Sequence, residues 1–149
     1  MTCINKSALI PYSAEKMYQL VADVENYEQF LPWCRRSTVL SQTEDEVKGQ
    51  IEVHHTGMHK SFTTLNRMQK NKMIEIRLVE GPFKHLQGFW RFDALDDHGC
   101  KISLALEFEF SNKLVSMAFG PIFSQIANTM VDAFCKRAID VYGNTGKGN

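Results

Sequence analysis

The chain has 149 residues, 44% of them hydrophobic and 23% charged, which is ordinary globular usage and excludes a disordered composition. A chain of this length folding as one domain buries roughly 68–70% of its unfolded surface, so it needs no disulfide or metal staple. The 17 basic and 17 acidic residues cancel, which excludes a global field toward nucleic acid or anionic lipid and leaves only local patches.

Residues 2 to 10 alternate weakly and read as a first strand, interrupted by Pro11-Tyr12-Ser13. Ser13 is of the N-cap type. Met17, Leu20, Val21 and Val24 follow at helical spacing, and Glu15 sits near the positive end of the macrodipole. The spacing predicts a short amphipathic helix over 14–24. Tyr27, Phe30 and Leu31 continue it as a second short helical piece, which Pro32 ends because the residue before a proline is pushed out of the helical region.

From about residue 36 the period changes from 3.6 to 2. Thr43-Glu44-Asp45, Thr56-Gly57-Met58, Lys70-Asn71-Lys72, Gly81-Pro82 and Asp96-Asp97-His98-Gly99 divide the stretch into about five or six strands. The clearest is Lys101 to Phe110, with Ile102, Leu104, Leu106, Phe108 and Phe110 on one face and Lys101, Ser103, Ala105, Glu107 and Glu109 on the other. Short turns between consecutive strands imply an antiparallel meander with one buried face.

From Lys113 to about Tyr142 the period returns to 3.6, and Val115, Phe119, Ile122, Phe123, Ile126, Met130 and Phe134 form a wide apolar stripe. Gly120-Pro121 inside it predicts a kink or break near residue 120. Residues 143–149 read as a flexible tail. The order predicts an α+β domain over 1–142, a curved antiparallel sheet wrapped around a long C-terminal helix with two short helices near the N-terminus. The four cysteines, Cys3, Cys34, Cys100 and Cys135, form no C-x-x-C pair, and no signal core is legible, so we expect a cytoplasmic protein with reduced thiols. No window is expected to approach the run of about 20 apolar residues that spans a bilayer, which leaves peripheral membrane contact.

Several motifs in fixed order carry a resemblance that covers nearly the whole chain. They are Pro11-Tyr12-Ser13-Ala14-Glu15 running into Met17-Tyr18, Val24 through Tyr27, Phe30-Leu31-Pro32-Trp33-Cys34, Gly81-Pro82-Phe83-Lys84, Phe108-Glu109-Phe110 with Asn112-Lys113-Leu114, and Phe119-Gly120. Together they resemble the START-like coenzyme Q-binding family of the polyketide cyclase/START superfamily, which also includes bacterial ribosome-association toxins. The resemblance implies a helix-grip (START/Bet v 1-like) fold. For function it implies either of two things. One is a non-catalytic protein holding ubiquinone or another lipid in support of respiration, peripheral to the inner membrane. The other is a toxin that binds the large ribosomal subunit, blocks subunit association and so inhibits translation. Pro32-Trp33-Cys34 looks more like the quinone-binding branch; Pro11 to Tyr18 looks equally like the toxins.

A wrapped sheet and an apolar helix can enclose a cavity. Phe30, Leu31, Trp33, Phe83, Trp90, Phe92, Phe108, Phe119 and Phe123 are the candidate ligand-binding residues; for Phe83, Trp90, Phe92, Phe108, Phe119 and Phe123 taken singly, an ordinary structural role is the favoured reading. A polyprenyl chain needs little polar recognition, since each buried methylene contributes about 0.8 kcal/mol. Trp33 could offer its indole N–H to a quinone carbonyl at the mouth or simply plug the sheet end. Arg35, Arg36, Arg67, Lys70 and Lys72, with Lys136-Arg137, are candidate RNA phosphate contacts or ordinary solvated faces. His54, His55 and His59 suggest no metal site, because adjacent strand positions face opposite ways. Cys34 beside Arg35 and Arg36 has the setting for a lowered thiol pKa, yet no histidine partner is identifiable. No catalytic residue and no protein-bound cofactor is therefore expected; cyclase activity is the minority reading, as related helix-grip proteins include enzymes.

Overall fold

A computed structural model describes residues 1–143. The elements run β1 (Thr2–Ile10), α1 (Ala14–Ala22), a 3-10 helix (Val24–Gln29), β2 (Cys34–Gln42), β3 (Glu46–His55), β4 (Met58–Gln69), β5 (Met73–Glu80), β6 (Phe83–Ala94), β7 (Cys100–Phe110) and α2 (Lys113–Tyr142). Six strands after residue 33 follow the turns expected from the sequence. Ser13 caps α1, its hydroxyl accepting from the Lys16 N–H at 3.2 Å. The helix ends at Ala22 rather than Val24, and the second piece is 3-10, its position tied down by the buried Tyr27 hydroxyl donating to the Val21 carbonyl.

All seven strands form one antiparallel sheet in the order β1-β7-β6-β5-β4-β3-β2. The first strand therefore pairs with the last, Thr2 opposite Phe108 through Ile10 opposite Cys100, while α1 and the 3-10 helix carry the chain from one sheet edge to the other. Thr56 (φ 44°) and Gly57 (φ 80°) make the tight β3–β4 turn with both central residues at positive φ, the geometry that matches strand twist. Register shifts at Cys34/Arg36, Val39/Ser41, Thr63/Thr64 and Phe83/His85 are bulges, which bend strands and increase their twist. Gly88 allows the closest backbone approach: a Cβ there would lie 2.0 Å from the Ala105 carbonyl oxygen.

The period of 2 decides the faces. Ile102, Leu104 and Phe108 of β7 are fully buried, as are Trp90 and Phe92 of β6 and Val53 of β3. Over this apolar face lies α2, which buries Phe119, Phe123, Ile126, Ala127, Val131, Phe134 and Ala138, while Val115, Ile122 and Met130 sit half-buried at its margins. Asn112 caps α2 by accepting from the Val115 N–H at 2.9 Å. The expected break at Gly120-Pro121 does not occur, and α2 is continuous from Lys113 to Tyr142. Pro121 has no N–H to give, and the carbonyl it would have bonded belongs to Met117, on the solvent-facing side of the helix.

Two further expectations change. By length and composition α2 is apolar enough to cross a bilayer, so a window approaching a span does exist; its inner face is packed on the sheet. Of the tail expected from Gly143 to Asn149, Gly143 is anchored, its carbonyl accepting from the Tyr12 hydroxyl at 2.5 Å, and residues 144–149 lie outside the described residues.

Phe134 is completely buried and meets the Tyr27, Phe30 and Trp90 rings edge-on, each at 5.2 Å between centroids. Phe134→Ala should lower unfolding stability by about 3–5 kcal/mol in denaturant titration, whereas Ile139→Ala on the exposed side of α2 should change it by about 0.5 kcal/mol or less.

Candidate ligand cavity

Between the sheet and α2 a cavity of about 90 Å³ remains. Its sheet wall is Gly49 and Ile51 of β3, Phe62, Thr64 and Asn66 of β4, Ile74 and Ile76 of β5, Leu86 and Trp90 of β6, and Leu104 and Leu106 of β7. Its other wall is Phe123, Ile126, Ala127 and Met130 of α2, which share one face of the helix over about two turns. Val21, Val24, Tyr27 and Trp33 close the side where the chain crosses between sheet edges. Gly49 sits beneath Val24, whose Cγ1 would lie 3.3 Å from an added Cβ.

Polar groups in this lining are few and local. The Thr64 hydroxyl donates to Asn66 Oδ1 at 2.9 Å, and the Tyr27 hydroxyl is already used on the Val21 carbonyl. Burial holds the Tyr27 phenol well above its ordinary pKa, with the Asp23 and Cys34 charges acting in the same direction. Among the described residues lining the cavity there is no Asp, Glu, His, Lys or Arg. Such a lining can hold an apolar molecule by burial.

Of the nine candidate ligand residues, Trp33, Trp90 and Phe123 line this cavity. Phe83, Phe108 and Phe119 join Phe123, Phe110 and Phe62 in a cluster of rings that fills the interior beside the start of α2, with Phe83–Phe123 and Phe108–Phe123 centroids both 4.9 Å apart. Phe92 packs on Tyr18 of α1 at 5.7 Å. Leu31 is buried in the core, and Phe30 lies half-buried against Phe134, with the Arg137 guanidinium 5.0 Å above its ring. Sequence reasoning did not single out Thr64, Asn66 or Ala127, and it read Tyr27 and Met130 as helix positions without proposing them for the ligand site. The β4 wall was hidden because its inner positions alternate Phe62, Thr64, Asn66, a pattern without an apolar period.

The basic candidates are divided between the two ends of the sheet. Arg35 and Arg36 are exposed at the start of β2, beside Val53 of β3, with Arg36 3.9 Å from Glu52. Arg67, Lys70 and Lys72 are exposed around the β4–β5 turn at the other end. Arg67 also borders a groove of about 630 Å³ on the outer face of the sheet, shared with Arg77, Glu75, Phe89 and Glu107. There the Glu107 carboxylate accepts from His85 at 3.1 Å and Gln87 at 2.5 Å, bonds that hold it below the usual carboxylate range.

His54 and His59 form a stacked cross-strand pair with centroids 4.1 Å apart, and His55 turns to Thr56. No group of three or more potential metal ligands exists among the described residues. Cys34 corrects an expectation. Its flanking arginines point to solvent, and burial pushes its thiol up to about 11 instead of lowering it.

A curved antiparallel sheet gripping a C-terminal helix over an apolar interior defines a START/Bet v 1-like binding fold. The same architecture appears in the Zhui aromatase/cyclase from Streptomyces sp. R1128, with a TM-score of 0.82, 16% identity, and coverage of 92% of this chain and 93% of that one. Residues 10–135 match the family described as polyketide cyclase / dehydrase and lipid transport. The ribosome association toxin RatA of Escherichia coli K12 is 47% identical over 142 residues, covering 95% of this chain and 90% of that protein. The mitochondrial coenzyme Q-binding protein COQ10 homolog B of Xenopus laevis is 31% identical over 93% of this chain, which spans 59% of that longer protein. The chain belongs to the polyketide cyclase / dehydrase and lipid transport family, as a START-like relative of RatA.

The cysteine environments give a direct check. With native protein at pH 8, iodoacetamide should modify exposed Cys3 and leave Cys34 and Cys100 unmodified, since both thiols are buried and raised to about 11. Peptide mass spectrometry before and after denaturation reads this out.

Proposed function

We propose that the protein is a non-catalytic carrier or chaperone for a hydrophobic isoprenoid-type molecule, with ubiquinone as the candidate ligand, held between the sheet and α2. The observation that carries this reading is the apolar cavity whose lining has no ionisable carboxylate, imidazole or amine. The name of the COQ10 relative, a coenzyme Q-binding protein, supports the ligand class. At about 90 Å³ the space is smaller than the ~300–1,000 Å³ of pockets that enclose a drug-sized ligand. The proposal therefore includes an outward shift of α2, with flexible Met130 as the first side chain to give way. A prenyl tail would then replace contacts between α2 and the sheet with contacts to itself, at about 0.8 kcal/mol per buried methylene.

Trp33 and Trp90 are the chain's two tryptophans, and both border the cavity. Titration with decylubiquinone should quench their fluorescence saturably. Ala127→Phe, which fills the space from α2, should weaken that binding by about tenfold or more while leaving the circular dichroism spectrum unchanged. Quenching that never saturates, together with no lipid in organic extracts of the purified protein, would contradict the carrier reading.

A second reading is favoured by one observation, the 47% identity to a ribosome association toxin over nearly the full length of both chains. In that reading the surface acts and the exposed basic groups at Arg35-Arg36 or around Lys70-Lys72 meet phosphates of the large ribosomal subunit. Co-sedimentation with purified large subunits should be strong at low salt and fall steeply as salt rises. Arg35→Glu/Arg36→Glu should reduce it if that end makes the contact, and Lys70→Glu/Lys72→Glu if the other does. Absence of co-sedimentation at low salt removes this reading and leaves the first intact.

A further inference from the structure

The outward stripe of α2 changes character along the helix. Leu114, Met117, Ala118 and Pro121 occupy i, i+3, i+4 and i+7 directly opposite the buried face of Phe119, Phe123 and Ala127, and all four are exposed, Leu114 by 78% and Met117 by 72%. Further along, the same stripe reads Gln125, Asn128 and Asp132, the polar residues a solvated helix face ordinarily carries. From Leu114 to Val131 no residue is charged, so the first acidic side chain of α2 lies about five turns from its start.

Charge at this end has one further peculiarity. The first turn of α2 holds no acidic residue and begins instead with Lys113, a cation at the positive end of the macrodipole, where it costs helix stability. Lys113 is exposed and has no ion-pair partner among the described residues. Lys84 is 73% exposed at the start of β6, on the same end of the sheet. The β5–β6 turn is joined to the lead-in of α2 by the Ser111 N–H donating to the Pro82 carbonyl at 3.0 Å. Lys84 shares Glu109, 3.5 Å away, with the N-terminal ammonium of Met1, which lies 3.9 Å from that carboxylate. Large apolar side chains in water and a lysine at the wrong helix end oppose the stability of the free chain, and both are favourable at an anionic lipid interface.

We propose that the first two turns of α2 are a membrane-docking tip. Leu114 and Met117 enter the headgroup boundary of an anionic bilayer, and Lys113 and Lys84 meet its phosphates. The apolar tip and the polar remainder of the stripe limit insertion to the end of the helix, so the protein rests on the surface without spanning it. Because this is the helix that covers the cavity, with Phe123 next along its inner face, docking places the anchored end of the cavity's helical wall at the lipid. The inference stands on the outer face alone and does not depend on which molecule the interior holds.

Flotation of the full chain with quinone-free vesicles of phosphatidylglycerol and phosphatidylcholine tests it. The wild-type chain should float with the vesicles at low salt and less so at high salt. Leu114→Glu/Met117→Glu should lower vesicle partitioning by about tenfold or more and leave decylubiquinone quenching unchanged, so that failure of docking and failure of ligand binding read out separately. Leu114→Ser/Met117→Ser, a milder change at the same exposed positions, should move in the same direction. The proposal is overturned if the wild-type chain stays unbound at low salt, or if both variants float as it does. It is equally overturned if sedimentation velocity shows the stripe buried in a dimer that the variants break. Large-subunit co-sedimentation lost in the variants without any vesicle binding would instead assign the patch to the ribosome and overturn it.

Discussion

The contact between the inner face of α2 and the concave side of the sheet governs the rest of the structure. The sheet has one apolar face, and among the described elements α2 alone is long enough to cover it. Phe119, Phe123 and Phe134 carry that contact with little or no exposure, each ring meeting others edge-on, the arrangement that aromatic quadrupoles favour. Burying these side chains contributes roughly 1.5–3 kcal/mol each against exposure, which makes the α2 contact a principal source of stability as well as the roof of the cavity.

That dual role constrains function. A wall that is also the main core contact cannot be lost, only displaced, so a ligand must offer the sheet and the helix an apolar surface equivalent to the one it separates. An isoprenoid chain does this with no charged partner, which matches a lining whose polar groups are mostly occupied with each other or the backbone. The aromatic cluster around Phe83 and Phe108 fixes the beginning of α2, and the Tyr12 and Tyr142 contacts fix its end, Tyr142 reaching the Lys16 carbonyl at 2.8 Å. Between those two fixed ends lie Ile126 to Met130, the stretch that borders the open space.

Much of the fold was legible because period and punctuation agree. The change from 3.6 to 2 near residue 36, the turn residues at Thr56-Gly57 and Gly81-Pro82, and the return to 3.6 at Lys113 each correspond to an element boundary within a few residues. Proline misled at one point: Gly120-Pro121 predicts a kink or break, but a helix held on its inner face by Phe119, Phe123 and Phe134 continues through Pro121 without one backbone bond on the wet side. The cavity was less legible. Residue type cannot separate Trp90, which borders it, from Phe92, two positions along the same strand and packed on Tyr18. That difference is set by where the bulged strands curve and by what α1 fills, both long-range. Thr64 and Asn66 escaped notice because a polar side chain on an inner face looks like solvent exposure until the register with Gly49 and Val47 is known. Cys34 shows the reverse error, since neighbours in sequence suggested a charge effect that alternation at Arg35 and the bulge between Cys34 and Arg36 direct away from the thiol.

A structure of the protein crystallised with decylubiquinone tests the central account most directly. The quinone ring is expected between Trp33 and Trp90, its tail along Ile126 and Met130, and α2 displaced outward between its two fixed ends. A ligand bound only on the outer face of the sheet, with the α2 contact and its residual space unchanged, would contradict it.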